Sequence, residues 1–305
     1  MRALVTGARG FVGKHLVAHL QGCGDHVIEM DRVIDSPCLE DATAIAAYIS
    51  SAQPEVVYHL AGQSNVAASW TDPVGTFQTN ATGTLNLLEA CHAAQVHKVL
   101  AVSSSDIYGV VSPQDLPITE SVPLRPVNPY AASKAAAEML CLQWFLGNQL
   151  PIVRARAFNH LGPGQSEHFL AAALAIRIAR NELNGESTVP VGNLSARRDF
   201  TDVRDVVRAY RLLIQHGVAG EAYNVCSGNA VAVTEVAQML LSLTTTQMTL
   251  HLDQSLLRPT EVPVLQGDNS KLHACTGWTP EISLAQTLSD VLGDARKRLS
   301  EQTSW

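Results

Sequence analysis

Along the first half of the chain, short aliphatic runs alternate with longer stretches whose apolar residues recur three and four positions apart. The runs at 3–6, 26–30, 56–60, 98–103 and 152–155 are β-branched or aliphatic and predict strands. The stretches at 13–21, 42–51, 74–94 and 130–146 predict amphipathic helices between them. A helix after each strand makes the long connection that parallel pairing requires. The predicted fold class is therefore α/β, a doubly wound parallel sheet with a smaller C-terminal substrate-binding lobe.

The rhythm changes after about residue 160. Gly162-Pro163-Gly164 signals a turn, a helix is predicted over 169–181, and 283–302 reads as a terminal amphipathic helix. The expected division is 1–160 for a dinucleotide-binding domain and 161–305 for the lobe, with segments at about 202–226 returning to the main sheet. At 305 residues, 46% hydrophobic and 16% charged, the chain is long enough for a large core with an appended lobe and excludes a disordered or fibrous protein. A net charge of -7 argues against nucleic-acid partners. No apolar run reaches the roughly 18 residues of a membrane span, and Met1 leads straight into a strand, so a cytoplasmic protein is expected. The six cysteines form no C-x-x-C pair and predict reduced, mostly buried thiols, and the eleven histidines show no metal-ligand spacing.

Chemistry gathers at the strand ends. Gly7, Gly10 and Gly13 fall between the first strand and first helix, among Arg9, Phe11 and Val12. A backbone without Cβ atoms there lets a pyrophosphate reach the amides at the helix N-terminus. Asp31, at the end of the second strand, can accept hydrogen bonds from both ribose hydroxyls and so favours NAD(H), while NADP(H) is possible through Arg9 and Arg32, which flank the same corner and could bind a 2′-phosphate. Tyr130 and Lys134 are four apart on a predicted helix. A cation about 4 Å from a phenol, at an effective dielectric of about 20, is worth about 4 kcal/mol, or roughly three pKa units. Ser103, Ser104 and Ser105 leave the fourth strand as a run of small hydroxyls, followed by Asp106.

Together these motifs resemble the extended short-chain dehydrogenase/reductases that act on nucleotide sugars, over nearly the whole chain. The resemblance implies a Rossmann domain with Gly7, Gly10 and Gly13 in the cofactor loop. It implies that Tyr130 donates the proton, that Lys134 lowers its pKa and holds the nicotinamide ribose, and that Ser104 bonds the reacting oxygen. Ser105 and Asp106 join the catalytic group. Leu60, Ala61 and Gly62 in His59-Leu60-Ala61-Gly62, Asn80, Val102, Ser103 and Ala157 would line the cofactor. Leu39 stands where the family has an acidic residue touching the adenine. The same likeness extends to a branch using GDP-sugars, with Asn159, Val191, Asn193 and Glu261 around the nucleotide sugar and Arg198 and Arg258 clamping its diphosphate. Dehydratases of the family carry glutamate where Asp106 stands, and a side chain one methylene shorter falls short of the C5 proton.

The expected reaction is therefore NAD(P)H-dependent reduction of the 4-keto group of a GDP-4-keto-6-deoxyhexose, taking GDP-4-keto-6-deoxy-D-mannose to GDP-D-rhamnose. The alternatives are a 4,6-dehydratase or 4-epimerase and, from another class, a non-catalytic dinucleotide-binding sensor. A homodimer through the 74–94 and 130–146 helices is implied by the resemblance as well.

Overall fold

The computed structural model describes residues 1–34, 36–256 and 262–302. The first half runs β1 (Arg2–Thr6), α1 (Phe11–Gly22), β2 (His26–Met30), α2 (Ala42–Ala52), β3 (Val56–His59), α3 (Val66–Thr71), α4 (Pro73–Phe77), one turn of π-helix (Gln78–Thr82), α5 (Gly83–Ala93), β4 (Lys98–Ser104), α6 (Pro129–Asn148) and β5 (Ile152–Ala157). The second half runs β6 (Asn159–Leu161), α7 (Leu170–Asn184), β7 (Thr188–Val191), β8 (Arg197–Asp202), α8 (Val203–His216), β9 (Ala222–Val225), β10 (Ala230–Ala232), α9 (Val233–Ser242), β11 (Thr249–Leu252), β12 (Val264–Leu265), α10 (Ser270–Thr276) and α11 (Leu284–Gln302).

Six parallel strands form the main sheet in the order β2-β1-β3-β4-β5-β9. Both faces are covered, which is why its strands read as continuous aliphatic runs. Alternate residues divide between two cores. Val5, Tyr58 and Leu100 pack with Leu16 of α1, Tyr210 of α8 and Trp278. Their neighbours Leu4, Val57 and Val99 pack on the other face with Ile45 of α2, Leu87 of α5 and Cys141 of α6. Each such side chain is worth about 1.5–3 kcal/mol of transfer free energy, so the sheet is a firm platform. Its carboxyl ends align: Thr6 lies opposite His59, and Ser104 opposite Ala157.

A third core, around Leu174, Ile178, Val189, Leu240, Leu288 and Leu292, holds α7, α9 and α11 together beside the small sheets β10-β8-β12 and β11-β7. The chain crosses back between the halves, because α8 packs under the main sheet and β9 is its edge strand. No described helix is long and apolar enough to cross a membrane.

Two expectations need correction. The continuous helix at 74–94 is instead α4, the π turn and α5. At the break, a Cβ on Gly83 would sit 2.7 Å from Leu39 Cβ, and the Thr84 hydroxyl donates to the Asn80 carbonyl at 2.6 Å. Side chains compete here with the regular ladder. All six thiols are free as expected, but only Cys91, Cys141 and Cys226 are buried, Cys23 and Cys38 being exposed.

Candidate active site

The loop from β1 to α1 forms under tight steric limits. Gly7 has φ +70° and donates to the Met30 carbonyl at 2.8 Å. A Cβ at Gly13 would fall 2.0 Å from the Gly7 carbonyl oxygen, and one at Gly7 would meet the Ala61 amide at 2.9 Å. Gly10 caps α1 without a side-chain hydrogen bond, so no cap side chain takes up the first amides of the helix. That cradle fits a pyrophosphate.

At the adenosine corner, Asp31 is already engaged: its carboxylate accepts the amides of Arg9 at 2.9 Å and Val33 at 3.2 Å. The Arg9 guanidinium pairs with Glu29 at 2.7 Å, and the Arg32 side chain is exposed. Leu39 is buried against Gly83, its carbonyl held by Asn86 Nδ2 at 2.8 Å. An apolar side chain therefore stands where the family places an acid.

Asn128 accepts the Ala131 amide at 2.7 Å and, with Pro129, starts α6 at the sheet edge. Tyr130 and Lys134 thereby occupy its first turns, next to β4. Ser104 ends β4, accepts the Asp106 amide at 3.2 Å and opens the one-turn 3₁₀ segment Ser105–Tyr108. The Ser104 hydroxyl is placed to act on the phenol of Tyr130, favouring its ionised form. The structure thus brings Ser104, Asp106, Tyr130 and Lys134 together. Ser105 is buried in the same turn.

The electrostatics depart from the i, i+4 expectation. Burial pushes the Tyr130 phenol well above its ordinary range, the Asp106 carboxylate adds to this, and the Ser104 hydroxyl opposes it. Lys134 turns to the Val102 carbonyl at 2.5 Å, and burial brings its ammonium down to about 8. Depression of the phenol by Lys134 is therefore not seen. Desolvation acts on both groups, and the ammonium's hydrogen bond goes to β4.

Asn80 ties the loop after β3 to α6. Its Oδ1 accepts the Gln63 amide at 2.7 Å, while Nδ2 donates to the Gln63 carbonyl at 3.0 Å and to Ser133 Oγ at 2.9 Å. Ser133 in turn donates to the Tyr130 carbonyl at 2.7 Å. Gly62 lies beneath the Asn80 side chain, where a Cβ would sit 2.8 Å from Oδ1. Ser103 Oγ is buried without a protein partner, an unsatisfied polar atom suited to a bound group. Cradle, unsatisfied hydroxyl and ordered loop all fit a dinucleotide.

On the other side, Asn159 is exposed on β6 and pairs in register with Phe200. Val191 is buried, and Asn193 Oδ1 accepts the amide and hydroxyl of Ser195 at 2.9 and 2.8 Å. Arg198 Nη1 donates to the Arg197 carbonyl at 2.9 Å. Arg258 and Glu261 lie outside the described residues, so the two-arginine clamp rests on the sequence. No group of three or more metal-ligating side chains meets among the described residues.

Sequence reading missed the supports. Thr6, His59, Thr84, Ser133 and Gln63 bind one another or Asn80, across 53 positions in the pairs Thr6–His59 and Asn80–Ser133. His59 and Ser133 left a local signal, lying inside His59-Leu60-Ala61-Gly62 and Tyr130-Ala131-Ala132-Ser133-Lys134.

The model for GDP-mannose 4,6 dehydratase matches residues 38–291. The chain belongs to that family. It is 39% identical to GDP-6-deoxy-D-mannose reductase of Pseudomonas aeruginosa, over 99% of each chain. A solved structure of RMD from Pseudomonas aeruginosa with NADPH superposes with a TM-score of 0.90 at 38% identity, covering 98% of this chain and 100% of that one. UDP-glucose 4-epimerase of Thermus thermophilus with NAD gives 0.88 at 29%, covering 97% and 99%. Membership in the GDP-mannose 4,6 dehydratase family bears out the expected extended short-chain dehydrogenase/reductase, its doubly wound fold and its oxidoreductase class.

Proposed function

We propose that the protein reduces the 4-keto group of GDP-4-keto-6-deoxy-D-mannose to give GDP-D-rhamnose. The observation that carries this reading is the grouping of a half-buried, protonated Tyr130 with Ser104 and Asp106, on a chain alike end to end to a GDP-6-deoxy-D-mannose reductase. A bound nicotinamide supplies the hydride. Ser104 and Tyr130 hold the ketone oxygen, and the phenol gives it a proton as negative charge develops. A phenol kept protonated by burial and by Asp106 is in the donating form at neutral pH, as reduction requires. Lys134, hydrogen-bonded to the Val102 carbonyl, is assigned to the nicotinamide ribose.

Arg9 and Arg32 balance Glu29 and Asp31 at the adenosine corner, so its formal charges cancel and net charge does not reject a 2′-phosphate. The cofactor is accordingly taken as NADPH or NADH. Asn159, Asn193 and Arg198, with Arg258 and Glu261, are assigned to the GDP-sugar. The working form is taken as a homodimer through α4, α5 and α6.

The test follows reduced-nicotinamide absorbance with GDP-4-keto-6-deoxy-D-mannose and either NADPH or NADH. Consumption equal to the ketosugar is expected, with GDP-D-rhamnose as product; a rearranged sugar without consumption would refute the reading in favour of epimerisation. Tyr130→Phe should lower turnover about 10²–10⁴-fold while cofactor affinity by fluorescence titration changes little. Turnover close to wild type in that variant would remove Tyr130 as the donor.

A further inference from the structure

The catalytic helix carries a buried carboxylate that the proposed chemistry does not use. Glu138 lies one turn beyond Lys134, its side chain fully enclosed. Its Oε1 accepts Arg156 Nη2 at 2.6 Å and Nε at 2.9 Å, and Arg154 Nη1 at 3.3 Å. Replacing such a buried triad by apolar residues is often neutral or stabilising, so stability by itself is a poor account of it.

Its connections give a better one. Arg156 Nη1 continues to the Tyr108 oxygen at 2.8 Å and to the Glu120 carbonyl at 2.9 Å. Tyr108 donates to Asn224 Oδ1 at 2.7 Å and ends the 3₁₀ turn that Ser104 opens. Two residues before Ser104, the Val102 carbonyl accepts Lys134 Nζ. One helical turn then leads from Lys134 back to Glu138. The links close a ring through Glu138, Arg156, Tyr108, Ser104, Val102 and Lys134, with both catalytic elements on its circumference.

We propose that Glu138 is a positioning residue: through Arg156 it holds the Ser104–Tyr108 turn and the Tyr130–Lys134 helical turn in one fixed relation. The inference rests on the reading that Ser104, Tyr130 and Lys134 carry the reaction. An error of about 1 Å between such groups costs about 10²-fold in rate.

Glu138 also supplies fixed negative charge one turn from Lys134, opposing the effect of burial on that ammonium. Arg154 and Arg156 carry the charges that pair with Glu138, whereas Cys141, His59 and Tyr130 are neutral near pH 7. The Cys141 thiol is pushed up to about 12 by burial, His59 on β3 is held down to about 3, and Tyr130 is protonated. Asp106 acts on the Tyr130 phenol from the β4 side.

Two variants test the ring. Glu138→Gln keeps the shape and removes the charge; kcat should fall about tenfold or more, with cofactor KM within about twofold. In the same variant, ¹³Cε-lysine NMR of the ligand-free protein, with Lys134 assigned by Lys134→Arg, should show its titration midpoint lowered by about half a unit or more. Tyr108→Phe breaks the ring without touching that charge, so kcat should fall while the Lys134 midpoint stays in place. The double variant should be little worse than the poorer single one. Wild-type kcat in folded Tyr108→Phe overturns the proposal, as does an unmoved Lys134 midpoint in Glu138→Gln; should Glu138→Gln fail to fold, Tyr108→Phe decides alone. If the reduction reading itself fails, the wild-type protein is inert toward the ketosugar, and the NMR titration still decides on Glu138.

Discussion

Counting donors and acceptors around His59 fixes its tautomer. The Thr84 hydroxyl spends its proton on the Asn80 carbonyl, so at 2.9 Å it accepts from His59 Nε2. Nδ1 is then the acceptor for the Thr6 hydroxyl at 2.9 Å, and Thr6 accepts the Ala61 amide at 3.1 Å. A second proton on the ring would leave the Thr6 hydroxyl facing another donor, in a buried site. Burial, and secondarily the Lys134 charge, hold the imidazole down to about 3 against an ordinary 6.5. The sign follows from linkage: the folded state binds the proton less readily than the unfolded one, so stability is full above pH 6.5 and is lost as pH falls from there toward 3. Each such histidine contributes a slope of about 1.4 kcal/mol per pH unit within that window. Urea unfolding midpoints at pH 7, 6 and 5 should decline, and His59→Gln should decline less steeply; parallel slopes would contradict the assignment. His160, likewise lowered by burial, adds to the slope in both proteins.

Among elements, α1 shows how one residue type has opposite meanings at its two ends. At Gly13 a methyl group would collide with the Gly7 carbonyl at 2.0 Å, whereas Gly22 has nothing within 4 Å. Gly13→Ala should therefore distort the cofactor loop and weaken dinucleotide binding by about 100-fold or more, on the scale of lost catalytic and binding geometry. Gly22→Ala should leave binding intact and stabilise the fold by about 0.5–1 kcal/mol, since alanine loses less chain entropy in a helix. Isothermal titration with NADPH and thermal unfolding read the two effects; equal binding by both variants would count against the cradle. The helix α1 was legible in its spacing because its buried residues Leu16, Val17 and Leu20 recur at helical steps. The π turn at Asn80 was not, because the forces that widen it come from Leu39, Thr84 and His59 rather than from its own sequence.

For the whole molecule, the exposed apolar side chains Val74 and Phe77 of α4 and Met139 and Leu146 of α6 bear on assembly. Exposed apolar surface of this kind marks interaction sites, and here it lies on the helices assigned to a dimer contact. Phe77→Glu combined with Leu146→Glu should convert a dimer into a monomer in sedimentation velocity, with little change in Tm; an unchanged sedimentation coefficient would place the contact elsewhere. The periodicity of the first 160 residues sufficed for five of the six parallel strands, because strands buried on both faces and amphipathic crossovers each leave a local pattern. The glycines at 7, 10 and 13 and the Tyr130–Lys134 spacing were equally local, since each motif acts within one turn or loop. What the amino-acid order could not reveal was the state of those groups. Only the assembled fold decided that Lys134 faces Val102, that burial raises Tyr130, and that Glu138 meets arginines 16 and 18 residues away. Dehydration and long-range hydrogen bonding depend on which distant segments come together, and no short stretch of chain carries that information.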